Sequence, residues 1–512
     1  MKQYIEEDNR SQQAMFPESL DDYIAQDSQV RVIDAFVDEL PLDALGFERA
    51  VPEATGRPAY RPTTLLKIYL YGYINRIQSS RRLERETQRN VELMWLVGRL
   101  QPDFKTIADF RKDNRKAIQN TCRHFVELCR QQDFFKQAVV AIDGSKFKAV
   151  NNVSKNHTRG ILKRRIARTE EHVANYLSKL DEADLDEPSA SDTELADLKE
   201  KLSSLRESLE ALKRREQQVL AHPDKQISET DKDARLMKQG AKGLLVGYNL
   251  QTAVDTHHKL IVAHELTNSP TDRGQLLPVA KKIKQALRCD EMTVLADRGY
   301  YSGLDMKSCH ELGIKTLVPK SSTSGNKAAG LYDRADFKYD AEQDQYVCPA
   351  NEILPRRGRS LEDGRNIDTY YASATLCRDC KLKTKCTRGK ERRVRRWEHE
   401  ALLESLAEEL HDYPRAMADR ACTVEHPFGT LKLNMGTTQI LMKRLENVRT
   451  EMSLHVLAYN MKRAISILGV PTLIKAIREQ AKSACSYIRH LSGIVCEFMT
   501  GKAAGDNQVL RA

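Results

Sequence analysis

Two aspartates stand where carboxylates can be put to chemical use. Asp143 follows the short apolar run Ala138-Val139-Val140-Ala141-Ile142, and Asp297 follows Thr293-Val294-Leu295-Ala296. If both runs are strands and lie side by side, their carboxylates meet at one edge of the sheet. Hard oxygen donors held there suit Mg2+ or Mn2+, which bind through few carboxylates and keep several waters. A third carboxylate would complete a two-metal site for phosphodiester chemistry. The plainer reading of each aspartate alone is a turn former or a helix cap, so the pair needs outside support.

A second constellation is made of sulfur. Cys348, Cys377, Cys380 and Cys386 fall within 39 residues (348–386), two of them as Cys-x-x-Cys. Thiolates at such spacing can close a tetrahedron around zinc, although Cys348 has no near partner of its own. Reduced structural thiols and a redox pair are the alternatives. A catalytic zinc is disfavoured, because no histidine or carboxylate cluster accompanies these sulfurs.

The elements that must position these groups come next. Between Arg57 and Cys129 the chain reads as helical. Leu65, Leu66, Ile68, Tyr69 and Ile74 run without a breaker into the basic stretch Arg76, Arg81, Arg82, Arg85, Arg89. A second helix is expected after Thr106 as its cap, with Ile107 and Phe110 inward. A third carries the stripe Ile118, Cys122, Phe125, Val126, Cys129. Short helices with basic faces suit a helix-turn-helix-like DNA-binding unit, and a plain helical packing domain is the rival. Then strands take over. Ala138–Ile142, a hairpin of Gly247–Val254 with Leu260–Ala263, a helix opening near Asp272, Thr293–Ala296, a further helix and Thr316–Val318 together predict a mixed α/β sheet.

Two insertions interrupt that sheet. The first, about 158–240, has leucines at 195, 198, 202, 205, 209 and 212, a heptad seam. Leu162, Ile166, Thr169, Val173, Tyr176 and Leu180 repeat the spacing upstream, and Asp181 to Asp192 with Pro188 can turn the chain between them. An antiparallel helical hairpin is expected, with an intermolecular coiled coil as the alternative. The second insertion, about 321–400, holds the four cysteines.

Composition bounds the rest. The chain has 512 residues, 40% of them apolar and 30% charged, with 82 Lys and Arg against 72 Asp and Glu. No apolar run is long enough to span a bilayer, and the N-terminus has no secretory apolar segment. Eleven cysteines are too sparse for a disulfide scaffold, so reduced thiols in a cytosol are expected. The charge is unevenly spread. Residues 1–56 carry four bases and thirteen acids, 57–135 sixteen bases and eight acids, and 381–396 nine bases and one acid. Basic blocks of this kind suit a polyanion partner, although any one of them can be a solvated face.

Outside support for the aspartates comes from four short motifs in order. They are Asp143-Gly144-Ser145-Lys146, Gly247-Tyr248-Asn249-Leu250-Gln251-Thr252-Ala253-Val254-Asp255, Ala296-Asp297-Arg298-Gly299-Tyr300 and Val424-Glu425-His426-Pro427-Phe428-Gly429-Thr430-Leu431-Lys432. In this order they resemble the DDE transposases of bacterial insertion sequences, the group with a ribonuclease-H-like catalytic domain. Tyr60-Arg61-Pro62 and Pro102 to Arg111 resemble that group's N-terminal DNA-binding domain, and Leu457 to Arg463 its closing helix, so the similarity spans about 15–465.

The resemblance implies that Asp143, Asp297 and Glu425 form a metal-binding triad for Mg2+ or Mn2+, and that Lys432 lies near the DNA or the active site. Seven residues on an α-helix return to nearly the same face, so Glu425 and Lys432 can point together, although Pro427 demands a helix start or a kink. Arg420 precedes Glu425 with four residues between, where the group's common signature has three.

The implied architecture is a helical domain over 1–135, a catalytic domain over 136–320 and 401–470, the Cys-containing insertion 321–400 and a helical tail 471–512. The implied activity is metal-dependent cleavage at the ends of a DNA element and strand transfer into target DNA. It is expected in a bacterial cytoplasm, at the nucleoid, by a homodimer on double-stranded DNA with no membrane partner. Arg81, Arg82 and Arg85 are the candidates for contacting terminal inverted repeats. A catalytically silent DNA-binding descendant and a metal-dependent nuclease of the same fold remain the other classes.

Overall fold

The computed structural model describes residues 19–51, 58–185, 192–240, 243–320 and 325–482. The first eighteen residues, Arg57, residues 186–191 of the stretch expected to turn the chain and residues 483–512 lie outside them.

Seven helices come first: α1 Gln29–Asp38, α2 Leu42–Leu45, α3 Pro62–Ile74, α4 Ser80–Arg89, α5 Val91–Leu96, α6 Phe104–Asp113 and α7 Arg115–Gln131. α3 opens on Pro62, whose fixed φ suits the first helical position, and is buried on nearly every face. Contrary to the expectation from the absence of a breaker, it does not continue into the basic stretch. Asn75 closes it and Arg76 takes a positive φ of 62°. Arg76 and Gln78 then bond the carbonyls of Asn434 and Met435, a long-range contact that outweighs local helix propensity. The cap of α6 is Asp103 rather than Thr106. The Asp103 carboxylate accepts the N–H groups of Lys105 and Thr106 at 2.9 Å each, and a carboxylate there also meets the positive helix end.

The main sheet is built from β1 Val139–Lys148, β4 Arg235–Lys238, β5 Leu244–Asp255, β6 Ile261–Thr267, β7 Met292–Leu295 and β8 Ile314–Leu317. Its order is β4-β5-β1-β7-β8, with β6 sharing the β4 edge of β5 further along that strand. β5 is antiparallel to β1, β4 and β6, whereas β1, β7 and β8 run parallel. Helices α10 Leu276–Leu287 and α11 Gly303–Glu311 make the two crossovers between parallel strands. Near-continuous burial of β5 from Leu245 to Asp255 marks a strand covered on both faces.

Between β1 and β4 stand the short pair β2 Asn156–Thr158 and β3 Gln226–Ser228, antiparallel to each other. From it project α8 Arg159–Leu185 and α9 Asp192–Ala221, which pack along one another and are tied by a Lys213–Glu170 ion pair of 2.8 Å. Leu162, Ile166 and Leu202 are buried along the contact, and the side chain of Leu195 lies outside the described residues.

After α12 Gly325–Ala328 comes a five-stranded antiparallel sheet, ordered β13-β12-β11-β10-β9. Its strands are β9 Lys338–Asp340, β10 Gln345–Val347, β11 Ile353–Glu362, β12 Arg365–Tyr370 and β13 Val394–Trp397, with α13 Ala374–Arg378 and α14 Lys383–Cys386 before the last. The chain returns through α15 Glu400–His411 and α16 Ala416–Gly429 to α17 Leu445–Leu468. α17 packs on α3, α7 and β6, so the N-terminal helices and the main sheet share one hydrophobic core. No helix among the described residues is long and apolar enough to cross a membrane.

Candidate active site

β1 carries the first aspartate, but inside the strand and not at its end. Asp143 pairs with Thr252 on β5, while on the other side β7 stops at Leu295. The parallel register aligns Ala141 with Leu295, so two further steps set Asp143 level with Asp297. β1 is therefore long because β5 supports it, and Asp143 is reachable because β7 is short. Asp297 takes up both readings of a strand-end aspartate. Its carboxylate accepts the Gly299 N–H at 2.8 Å, capping a single 3-10 turn, and it stands beside the open edge.

Carboxylates crowd here more than the sequence suggested. α10 was expected to open near Asp272, yet the residue at its cap is Gln275, and Asp272 instead accepts the side-chain amides of Asn249 and Gln251 at 2.8 Å each. Tyr300, fully buried, donates its hydroxyl to the Gln251 amide oxygen. These groups pack against the backbone of β1 at Gly144. A Cβ there would come within 2.4 Å of both the Asp272 carboxylate and the Gln251 amide, so only glycine fits. The motif Asp-Gly thus encodes a close approach, a signal that sequence can hold but cannot explain.

Burial pushes the Asp143 carboxyl up to about 6. Arg420 and the Gly144 N–H pull against that rise, and the charges on Asp297 and Asp272 add to it. The Tyr300 hydroxyl is raised well above its ordinary value, first by burial and then by the same three carboxylates. Arg420, on α16, forms an ion pair with Asp143 at 2.9 Å. It is a cation set against this crowded carboxylate cluster, and the sequence had flagged Arg420 only for its unusual spacing.

α16 packs against β1, β5 and β7. Arg420, Val424 and Phe428 follow the i, i+4 spacing of one helix face, whereas Glu425, five residues beyond Arg420, lies about 140° around from it. Glu425 is exposed on the flank of the helix. The helix passes through Pro427 and, from Thr430 to Asn434, widens into a π-turn. Of the two expectations for Pro427, a new start is excluded, and the irregularity falls just after the proline. A π-turn changes the angular step, so the same-face argument from regular α geometry does not reach Lys432. Lys432 nevertheless arrives at β1. Its Nζ lies 2.6 Å from Ser145 Oγ and 4.8 Å from the centre of the Phe147 ring. Asp143, Ser145 and Phe147 alternate onto one face of β1, so Lys432 and Arg420 flank that face.

Among the described residues, no three His, Cys, Asp or Glu side chains stand close enough to hold a metal ion as they are. The structure brings Asp143 and Asp297 to one level, while Glu425 is exposed on α16. The donor set is nonetheless the hard-oxygen kind that a divalent cation takes, and like-charge crowding around Asp143 is what such a cation would relieve.

Arg81, Arg82 and Arg85 are exposed on α4. The Arg81 guanidinium lies 5.1 Å over the Phe104 ring at the start of α6.

Two protein families match the chain. The one described as Transposase domain (DUF772) matches residues 18–113, and the one described as Transposase DDE domain matches residues 213–461. The second match contains Asp297, Glu425 and Lys432, while Asp143 falls in the interval between the two. No curated protein matches. Among solved structures, the chain is similar to a piggyBac transposase seen by cryo-EM in a synaptic complex with hairpin DNA. That likeness has 10% identity, covers 89% of this chain and 80% of the other, and has a TM-score of 0.31, too slight to bear on fold or activity. A transposase domain followed by a transposase DDE domain is consistent with a DDE transposase of the insertion-sequence type.

Proposed function

We propose that the protein cleaves DNA at the ends of a mobile element and joins those ends to target DNA, in a ribonuclease-H-like domain that uses Mg2+ or Mn2+. The observation that carries this reading is the level placement of Asp143 and Asp297 at the step where β7 ends and β1 continues. The strand order, with antiparallel β6-β5-β1 followed by parallel β7 and β8, supports the fold assignment. The functional divisions are a DNA-binding part over 1–135, a catalytic part over 136–320 and 401–470 with its helical insertion near 158–240, the Cys-containing part 321–400 and the tail 471–512.

Asp143 and Asp297 would hold the metal, with Glu425 as the third ligand. When bound, the ion supplies charge neutralisation and a more nucleophilic attacking oxygen. The chain's own groups do the rest. Arg420 sits beside Asp143 and limits the cost of its burial, and Lys432 presents a cation along β1 where a phosphodiester would lie. The Tyr300–Gln251–Asp272 network fixes the backbone of β1 against movement. One such site can serve both hydrolysis, which frees a 3′-hydroxyl, and attack by that hydroxyl on a second phosphodiester. Arg81, Arg82 and Arg85 would contact the terminal repeats, and two ends processed together call for a homodimer on DNA.

The test is an excision-and-joining assay with the DNA flanking the gene as donor, run with Mg2+ and with a chelator. Joined products are expected from the wild type and not from Asp143→Ala, Asp297→Ala or Glu425→Ala. Binding without cleavage would point to a silent DNA-binding descendant, and cleavage without joining to a nuclease. Cleavage that persists in Glu425→Ala would remove that residue from the site.

A further inference from the structure

We infer that Cys348, Cys377, Cys380 and Cys386 bind one structural zinc ion as a tetrathiolate. The four come from separate pieces of backbone. Cys348 ends β10 in a tight turn, where its N–H donates to Glu352 O at 2.9 Å and its carbonyl accepts from Asn351, a residue at a positive φ of 62°. Cys377 lies in α13, Cys380 in the link that follows, and Cys386 closes α14. All four line a single cavity of about 30 Å³ whose other walls include Phe337, Leu354 and Ala372. Sequence spacing alone left Cys348 without a partner, and the fold supplies three.

The surroundings favour a metal over idle thiols. Among the described residues the second sheet has a core of Phe337, Tyr346, Leu354, Tyr370, Ala372 and Val394, with Tyr332, Tyr339, Cys348, Cys377 and Cys386 packed against it. So small an apolar core is commonly supplemented by a disulfide or a metal. Soft thiolates select zinc, copper(I) or iron–sulfur clusters, and four of them around one cavity suit the tetrahedral coordination that zinc takes. A tetrathiolate zinc carries a net charge of about −2. Lys383 and Arg392 line the same cavity, the latter 5.3 Å over the Phe337 ring, and their charges oppose it.

The sulfurs surround the cavity without yet standing at ligand distance. Binding therefore draws them inward as four S–H bonds break, four protons pass to solvent and four Zn–S bonds form. No electron is transferred.

The full-length protein, purified with a thiol reductant and no chelator, tests this by elemental analysis and by zinc release with a mercurial. One zinc per chain is expected, falling at least tenfold in Cys380→Ser and Cys348→Ser and unchanged in Cys289→Ser. Because those variants can fail to fold, wild-type protein exchanged with Co2+ gives a second readout, the thiolate-to-cobalt absorption of a tetrahedral site. Zinc-free protein that takes up no cobalt would overturn the inference. So would iron–sulfur absorption, a Cys377–Cys380 disulfide in the unreduced digest, or zinc content that survives both cysteine substitutions.

Discussion

The molecule has two cores, and they treat charge differently. The main one joins α1–α7, the first sheet and α17, and holds titratable groups deep within it. Arg111 is buried there, donating to the Tyr73 hydroxyl at 2.9 Å and lying 5.2 Å over the Tyr69 ring. Glu451 on α17 is fully buried and accepts the N–H groups of Leu441 and Met442. Burial pushes its carboxyl up, against the pull of Arg111. The neighbouring His455 ring, 4.4 Å from Tyr73, is driven down to about 3 by burial and stays neutral. The second core has six apolar residues and four thiols. Its buried charges, Asp368 and Arg396, each pair with a partner that reaches solvent, Arg359 at 2.8 Å and Glu404 at 2.6 Å. A large core can hold desolvated charge because many contacts fix each group. Chemistry that needs a perturbed carboxylate is accordingly found at the edge of the large core, and the small one is where a staple is expected.

The largest expected effect concerns activity. Asp143→Ala or Asp297→Ala should lower strand joining by at least ~10²–10³-fold, the scale seen when one preorganised electrostatic group is removed. Circular dichroism and thermal unfolding would show the fold retained. Activity within tenfold of wild type in either variant would move the chemistry elsewhere.

Next comes buried charge. Arg111→Met removes a hydrogen bond to Tyr73 and the cation whose field opposes the rise at Glu451, and should cost about 1–3 kcal/mol in urea unfolding. A double variant with Glu451→Gln should recover part of that loss. Additive losses would mean that the two groups do not interact.

The site itself makes a pH prediction of comparable size. The Asp143 carboxyl is raised to about 6 from 3.8, so between those values the folded state binds more protons than the unfolded one. Stability therefore falls as pH rises from 3.8 to 6 and stays lower above, by about 3 kcal/mol at most. Without metal, Asp143→Asn should be more stable than wild type at pH 8, and the difference should vanish near pH 4. A difference independent of pH would show that burial does not penalise this carboxylate.

Within the small core, Leu354→Ala should cost about 2–4 kcal/mol, but locally. Hydrogen exchange would quicken over 338–370 while the main unfolding transition holds its midpoint. A shift of the whole transition would show that the two cores unfold as one. The smallest effect is at α4. Each of Arg81→Ala and Arg85→Ala should reduce the salt dependence of DNA affinity by about one unit of slope, uniformly across sequences, if they meet phosphates.

Much of the architecture was legible because periodicity reports burial. The runs at 138–142 and 293–296 became parallel neighbours, and the stripe from Ile118 to Cys129 became the inner face of α7. Local signals failed where a distant group competed with them. Thr106 yielded its cap to Asp103, α3 ended at Asn75 because Arg76 and Gln78 bind the loop after α16, and Asp272 left α10 uncapped to take two amides from β5.

Sequence by itself determined the strand and helix order, the two aspartates at 143 and 297, and a set of four cysteines whose spacing suits one ion. Tertiary structure alone decided that Asp143 faces Arg420, that Asp272 and Tyr300 brace the same strand, that Glu425 is exposed on α16 and that Cys348 lines a cavity with three cysteines 29 or more residues away. The division has one physical cause. Hydrophobic periodicity acts over a few residues of chain, whereas the field at a buried carboxylate or the closure of a thiol cage depends on groups that only folding brings within a few ångströms.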